Sequence, residues 1–244
     1  MEDKLVHSTV EIVNPHHCNK NGFQILPHLI QSMQHTSLEH VNLLKEELWK
    51  SQFDHLSWVL IKKELKIVKP LEKGERFTVL TYPSGFEKFF AYRDYLIFNA
   101  DKKLVSAAAS QWTLLDMNTR KISRIPEEIL AVGLPKMAKF LKKPSNVDFK
   151  KSYEKVDQRK IRPYDLDWND HVNNGILIKQ FLEDLKLQGV EDHQIARLNM
   201  HFKNESRLGD KLDVFRCFND GSYYYKSTSS EQEKLISQCK VSLF

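Results

Sequence analysis

Cysteine is scarce and poorly placed for joint work. Cys18, Cys217 and Cys239 are scattered with no CxxC pair, which argues against a disulfide framework and against a zinc site. Three reduced structural thiols suit a cytosol. Long apolar runs are also missing, since no stretch approaches the ~18 residues of a membrane helix. The opening MEDKLVHSTVEIV has neither the apolar core of a signal peptide nor the Arg- and Ser-rich character of a transit sequence. The chain is therefore expected in the cytoplasm. Charge of one sign is in small excess. The net charge of +5 is too little to argue for nucleic acid and is compatible with an acidic partner. GxSxG is absent, which removes the best-known serine-nucleophile motif.

What is present suits a folded chain: 244 residues, 41% hydrophobic and 28% charged, enough for one large domain or two small ones. Residues 5–13 alternate through Val6, Val10 and Ile12 and predict a strand, with a loop over 14–24. From Ile25 to about Trp49 apolar residues recur at helical spacing: Leu26, Leu29, Ile30, Met33, Val41, Leu44 and Leu48. His28, His35 and His40 share no HxxxH face there and read as ordinary helix residues. From Trp58 the period changes to two. Strands follow through WVLIKKELKIV, the stretch around Phe77 and Val79, FFAYRDYLIF and KLVSAAASQWTLLD. The three alanines in the last of these suggest close packing against a helix. Residues 126–152, with three prolines and a run of lysines, read as a partly helical linker over a surface.

The second half repeats the first. LKIVKPLEKGERFTV (65–79) can be laid on MHFKNESRLGDKLDV (200–214), bringing Gly74 onto Gly209 and Val79 onto Val214. KLVS (103–106) matches KLIS (234–237), and a helix-period segment precedes both matches. Duplication predicts two similar units, 1–125 and 153–244, each a curved antiparallel sheet around one helix.

The halves differ at one run, DLDWNDHVNN (165–174). Asp167, Asn169 and His171 sit at alternate positions, which in an extended segment line one face. Asn173 and Asn174 follow where a helix should start, Asn being a strong N-cap. Free N–H groups at a helix start also suit a developing oxyanion. The first half has HHCNKNG in the comparable place, and Pro70 where the second has Glu205. One active site per chain is expected, in the second unit.

Several chemistries fit this run unequally. An EF-hand-like calcium loop lacks its Gly, Asp170 standing there, and its final Glu, replaced by Ile176. A metal hydrolase lacks a second His at ligand spacing. A cysteine nucleophile has no Cys near His171, though Ser206 lies beside Glu205. Metal-free acid–base hydrolysis and a capping network that merely ties the loop to the helix both remain open on composition.

At this point the chain resembles the acyl-acyl-carrier-protein thioesterases of plants and bacteria. DLDWNDHVNN is close to that family's D-L-D-x-N-x-H-V-N-N element; FAYRDYLIF, SQWTLLDMNTRKISRIPEE and NESRLGD resemble further family segments, in family order. The resemblance implies an α+β tandem double hot-dog fold and hydrolysis of fatty acyl thioesters on acyl carrier protein, with no cofactor or metal. It places the catalytic Asp, Asn, His and Glu on Asp167, Asn169, His171 and Glu205. Beside these, Asn173 and Asn174 at the helix start and Ser206 next to Glu205 are the expected substrate-binding positions. Many plant members carry Cys after the Glu. Ser206 here weakens a thiol mechanism and favours attack by water or a carboxylate. The missing transit sequence fits a bacterial member, acting as monomer or homodimer. Lys62, Lys63, Lys66, Lys69, Lys136, Lys139, Lys142 and Lys143 are candidates to meet the acidic carrier. The rival expectations are an acyl-coenzyme A thioesterase and a non-catalytic acyl binder.

Overall fold

The computed structural model describes residues 2–46, 53–137, 141, 143–149, 152–167 and 171–244. Strand β1 (His7–Ile12) leads to helix α1 (Leu26–Leu44), then β2 (Leu56–Ile67), β3 (Arg76–Phe86), β4 (Ala91–Asn99), β5 (Leu104–Asp116) and a short β6 (Lys121–Ser123). A single helical turn, α2 (Glu127–Leu130), opens the linker. The order then repeats as β7 (Glu154–Lys160), α3 (Asn174–Leu187), β8 (Ile195–Phe202), β9 (Lys211–Asn219), β10 (Ser222–Ser229) and β11 (Leu235–Leu243).

Helix α1 buries the stripe its spacing predicts, with Leu26, Leu29, Ile30, Met33 and Leu44 inside. Pro27 in its first turn has a φ already suited to a helix start. The regular helix ends at Leu44, short of Trp49; Leu48 lies outside the described residues, and Val41 is half-buried. Met33 is fully buried, and cutting it to Ala would cost ~2–5 kcal/mol.

The strands form one antiparallel sheet in the order β1-β3-β4-β5-β2-β8-β11-β10-β9-β7, with β6 on β5. The order is symmetric about the β2–β8 seam. There Lys62 pairs with His201, Glu64 with Asn199 and Lys66 with Arg197. The duplication alignment makes Glu64 and Asn199 equivalent, so a pseudo-twofold axis passes through that pair. Alternation then sorts the faces. Leu65, Leu198, Met200 and Phe202 enter one core with the apolar sides of α1 and α3. Each half is a sheet wrapped on its own helix, a hot-dog unit, and the chain carries two.

The linker crosses the outer face at the axis. Ser145 donates to Glu64 Oε2 from its N–H (2.9 Å) and its hydroxyl (2.8 Å), and Asn199 Nδ2 donates to Ser145 Oγ (2.9 Å). Arg197 Nε donates to Glu64 Oε1 at 2.8 Å, which balances the buried carboxylate. The alanines serve both faces rather than a helix alone. Ala108 joins the core, while Ala109 lines an outer cavity of about 280 Å³ with Leu134, Leu141 and Pro144 of the linker.

Candidate active site

Each half places the same closed turn before its helix. In the first, a 3-10 turn (Pro15–His17) leads to a bridge between Cys18 and Gln24, and Asn19 N–H donates to Phe23 O at 2.8 Å. In the second, Pro163–Asp165 leads to a bridge between Leu166 and Val172, and Asp167 N–H donates to His171 O at 2.8 Å. Both turns are tied to the loop between the next two strands: Gln24 N–H to Leu71 O (2.9 Å), Val172 N–H to Ser206 O (3.3 Å). Asn19 is therefore the counterpart of Asp167, Phe23 of His171 and Leu71 of Ser206. The two ends of the Asp167–His171 run are bonded to each other through the main chain, and residues 168–170 between them lie outside the described residues, so the alternate-face reading falls partly there. Asn169 lies outside the described residues.

Within the second turn, Asp167 Oδ1 accepts from the His171 N–H at 3.3 Å. The imidazole reaches across the loop, with His171 Nε2 at 3.6 Å from Glu205 Oε2. The same oxygen accepts from Arg120 Nη2 at 2.7 Å. The three side chains are partly exposed, at 25% for His171, 36% for Glu205 and 40% for Arg120, so a substrate can reach them.

Arg120 comes from the other half, in the turn between β5 and β6, and sits in the left-handed region with φ 56°. The turn is held by Asp116. Its carboxylate accepts from the N–H groups of Asn118 and Thr119, both at 2.9 Å, and its carbonyl accepts from Arg120 N–H at 2.7 Å. The Thr119 N–H bond, followed by the Asn118 one, holds the Asp116 carboxyl below its usual range. Arg120 belongs to the SQWTLLDMNTRKISRIPEE run, but nothing local in that run indicates a carboxylate in the other half.

Asn173 is the N-cap of α3. Its side-chain oxygen accepts from Gly175 N–H at 2.8 Å, and its carbonyl takes the N–H groups of Ile176 and Leu177. Among the described residues this leaves the Asn174 N–H as the first-turn donor without a partner, so the expected set of helix-start donors narrows to one. Ser206 is buried at 2% exposure, with no hydrogen-bond partner for its hydroxyl among the described residues. A serine nucleophile needs an adjacent base and access, and Ser206 has neither. Among the described residues no three His, Cys, Asp or Glu side chains gather as a metal would require.

The lysines fare unevenly. Lys63 is 3% exposed and cannot meet a partner protein. Lys139 and Lys142 lie outside the described residues. Lys62 is bonded to Asn146 and Lys143 to Glu87. Lys62, Lys203 and His201 line a second cavity of about 370 Å³ beside linker residues 146–149. Neither cavity is lined by His171 or Glu205.

Residues 10–132 match the family model for the acyl-ACP thioesterase N-terminal domain, and residues 149–242 match the model for the C-terminal domain. A palmitoyl-acyl carrier protein thioesterase of Gossypium hirsutum is 25% identical over 239 residues, covering 91% of this chain and 57% of the relative. The chain thus spans little more than half the length of that relative. Among solved structures, an acyl-ACP thioesterase from Bacteroides thetaiotaomicron covers 100% of both chains with TM-score 0.88 at 20% identity. A 12:0-ACP thioesterase from Umbellularia californica covers 98% of this chain and 97% of its own with TM-score 0.81 at 16% identity. These two likenesses bear on the fold.

Proposed function

The chain belongs to the acyl-ACP thioesterase family, and from that premise we propose that it hydrolyses fatty acyl thioesters on acyl carrier protein, releasing the free acid and the carrier thiol. The carrying observation is the contact of His171 with Glu205, both partly open to solvent. In this reading a water bound beside the imidazole and the carboxylate, within hydrogen-bond reach of both, is the nucleophile. Its oxygen attacks the thioester carbonyl while its proton passes to the pair. The oxyanion forms near the Asn174 N–H, with Asn169 as the further donor the family resemblance implies, and the departing sulfur takes the proton back. Asp167 shapes the loop through the His171 N–H, or attacks directly through an anhydride. Asn173 and Ser206 hold the substrate side of the turn in place.

The test is hydrolysis of a panel of carrier-bound acyl thioesters from short to long chain, with the free acid identified by mass. Equal or faster turnover of matched coenzyme A thioesters would move the reading to an acyl-coenzyme A thioesterase. Tight binding without acid release would move it to an acyl binder. Oxygen-18 in the Asp167 carboxylate after a single turnover in labelled water would establish direct attack.

The same reading divides the chain at 1–125, 126–152 and 153–244, with the first unit free to hold the acyl chain. It places the reaction in the cytoplasm, where the free thiols of Cys18, Cys217 and Cys239 suit a reducing environment. The acidic carrier is met by lysines that remain exposed. Hydrolysis of the carrier-bound substrate should then fall with salt more steeply than that of the coenzyme A substrate.

A further inference from the structure

The two interiors are built differently. Tyr225 pairs with Arg216 on β9 and Cys239 on β11, and Tyr95 pairs with Thr81 on β3 and Ala108 on β5, so the tyrosines are equivalent. In the second half Tyr225 donates to Asp184 Oδ2 at 2.9 Å, and Arg216 Nη1 donates to the same oxygen at 3.0 Å. Cation and carboxylate balance there. Laying the two helix starts together brings Thr36 onto Asp184, so the first half has no carboxylate at this point.

Yet the first half buries two cations. Arg93 Nη1 meets neutral groups, His40 Nδ1 at 3.0 Å and Thr81 Oγ1 at 3.2 Å. Lys63 is the counterpart of Leu198: it pairs with Ser110 as Leu198 pairs with Val241. Its Nζ stands 4.5 Å from the centre of the Tyr95 ring, and among the described residues it has no carboxylate partner. The buried Tyr95 hydroxyl lies within reach of the Ser37 and Ser110 hydroxyls, with no hydrogen bond of good geometry to fix it. A buried ammonium without an anion, beside a loosely held hydroxyl, is costly unless something completes it.

Position suggests what that is. Lys63 faces the core opposite Met200 on β8, and β8 runs on past Phe202 into the loop of Glu205. At strand rise, Met200 to Phe202 is roughly 7 Å, and Glu205 follows three residues later in the loop. A chain anchored at the reacting carbonyl and laid inward past Phe202 runs toward Lys63.

We propose that the interior of the first half receives the carboxylate of an aliphatic chain, with Lys63 and the Tyr95 hydroxyl as its donors. The carboxylate is either the far end of a bound thioester's acyl group or the head of a free fatty acid. The path inward rests on the hydrolase reading; the binding itself does not. Burial pushes the Lys63 ammonium down to about 7, and an anion beside it would hold the proton in place.

The test uses the full chain and its Lys63→Met and Lys63→Leu variants, each first shown folded by its melting curve. Decanoate, decanedioate and methyl decanoate are titrated by calorimetry. At least one acid should bind the wild type about tenfold or more tighter than it binds either variant, with the ester unchanged. In a second arm, thioesters of decanoate and of decanedioate are hydrolysed side by side. A preference for the dicarboxylic chain that is lost with Lys63 assigns the carboxylate to the substrate. Lys63-dependent binding of decanoate without that preference assigns it to the free acid. Acid and ester binding alike, or variants matching the wild type, overturns the proposal. Should neither variant fold, NMR titration of the wild-type Lys63 amine decides: a midpoint raised by the acids supports the site, and an unmoved one overturns it. Absence of all turnover with Lys63-dependent binding intact would sink the hydrolase reading and leave this one standing.

Discussion

The two halves share a backbone and differ in the side chains it carries. Turn for turn, Asn19 and Phe23 occupy the places of Asp167 and His171, on the same bridge and the same tie to the following loop. Hydrogen bonds between main-chain groups therefore set the shape of the loop, and its side chains were free to diverge. One copy kept an imidazole facing a carboxylate. In the other, Phe23 stacks on His193 at 4.6 Å, a packing role. Inside, the contrast runs the other way: among the described residues Asp184 answers Arg216 in the second half, and no carboxylate answers Arg93 or Lys63 in the first.

The sharpest way to break this comparison is kinetic. Glu205→Ala and His171→Ala should each lose ~10²–10⁴ in turnover while staying folded. Asn19→Ala, at the first-half equivalent, should leave turnover within about twofold. Equal losses in both loops would end the assignment to one site. Next comes the interior. Asp184→Asn should cost about 1–2 kcal/mol by denaturant titration, because Arg216 loses one of its two carboxylates and keeps Glu154, while Tyr225 keeps a weaker acceptor. Thr36→Val in the first half should cost ~1 kcal/mol.

Lys63→Leu copies the second half into the first and should raise stability by ~2 kcal/mol at neutral pH. The sign follows from proton counts. Between the folded value near 7 and the ordinary 10.5, the unfolded chain binds a proton that the folded chain does not, so wild-type stability rises with pH across that window. The variant should be flat there. Arg120→Gln should lower kcat/KM about tenfold by loosening Glu205, with Arg120→Lys recovering only part.

The smallest effect concerns acid. Burial pushes His40 and His201 down to about 4. As pH falls from 6.5 toward that value, the unfolded chain takes up protons the folded chain refuses, and stability declines. Gln188 is the second-half counterpart of His40. His40→Gln should therefore flatten the acid limb by ~1 kcal/mol, measured by melting across pH 4–7.

Much of this was legible before any coordinates. Helical spacing found α1, and the match of 65–79 with 200–214 found the tandem units, because local periodicity and repetition are properties of the string. The Asp167–His171 run stood out by composition, though the main-chain bond between its two ends did not, because alternation carries no signal for it. Arg120 was not legible, since its partner is distant in sequence and reached only through the fold. Nor was the burial of Lys63. The register of β2 shifts between Leu60 and Lys62, which resets the alternation and leaves Lys63 facing inward. Asn169 lies outside the described residues.

The Arg120–Glu205 contact also limits how this protein can be recombined. A chimera that joins the second half of this chain to the first half of a relative keeps Glu205 and takes the residue facing it from the other parent. Swaps that preserve the β5–β6 hairpin should stay active; those that trim or lengthen it should produce folded, well-bonded sheets that turn over poorly. Recombination of this chain is thus constrained at a surface turn 85 positions away in sequence from the carboxylate it holds.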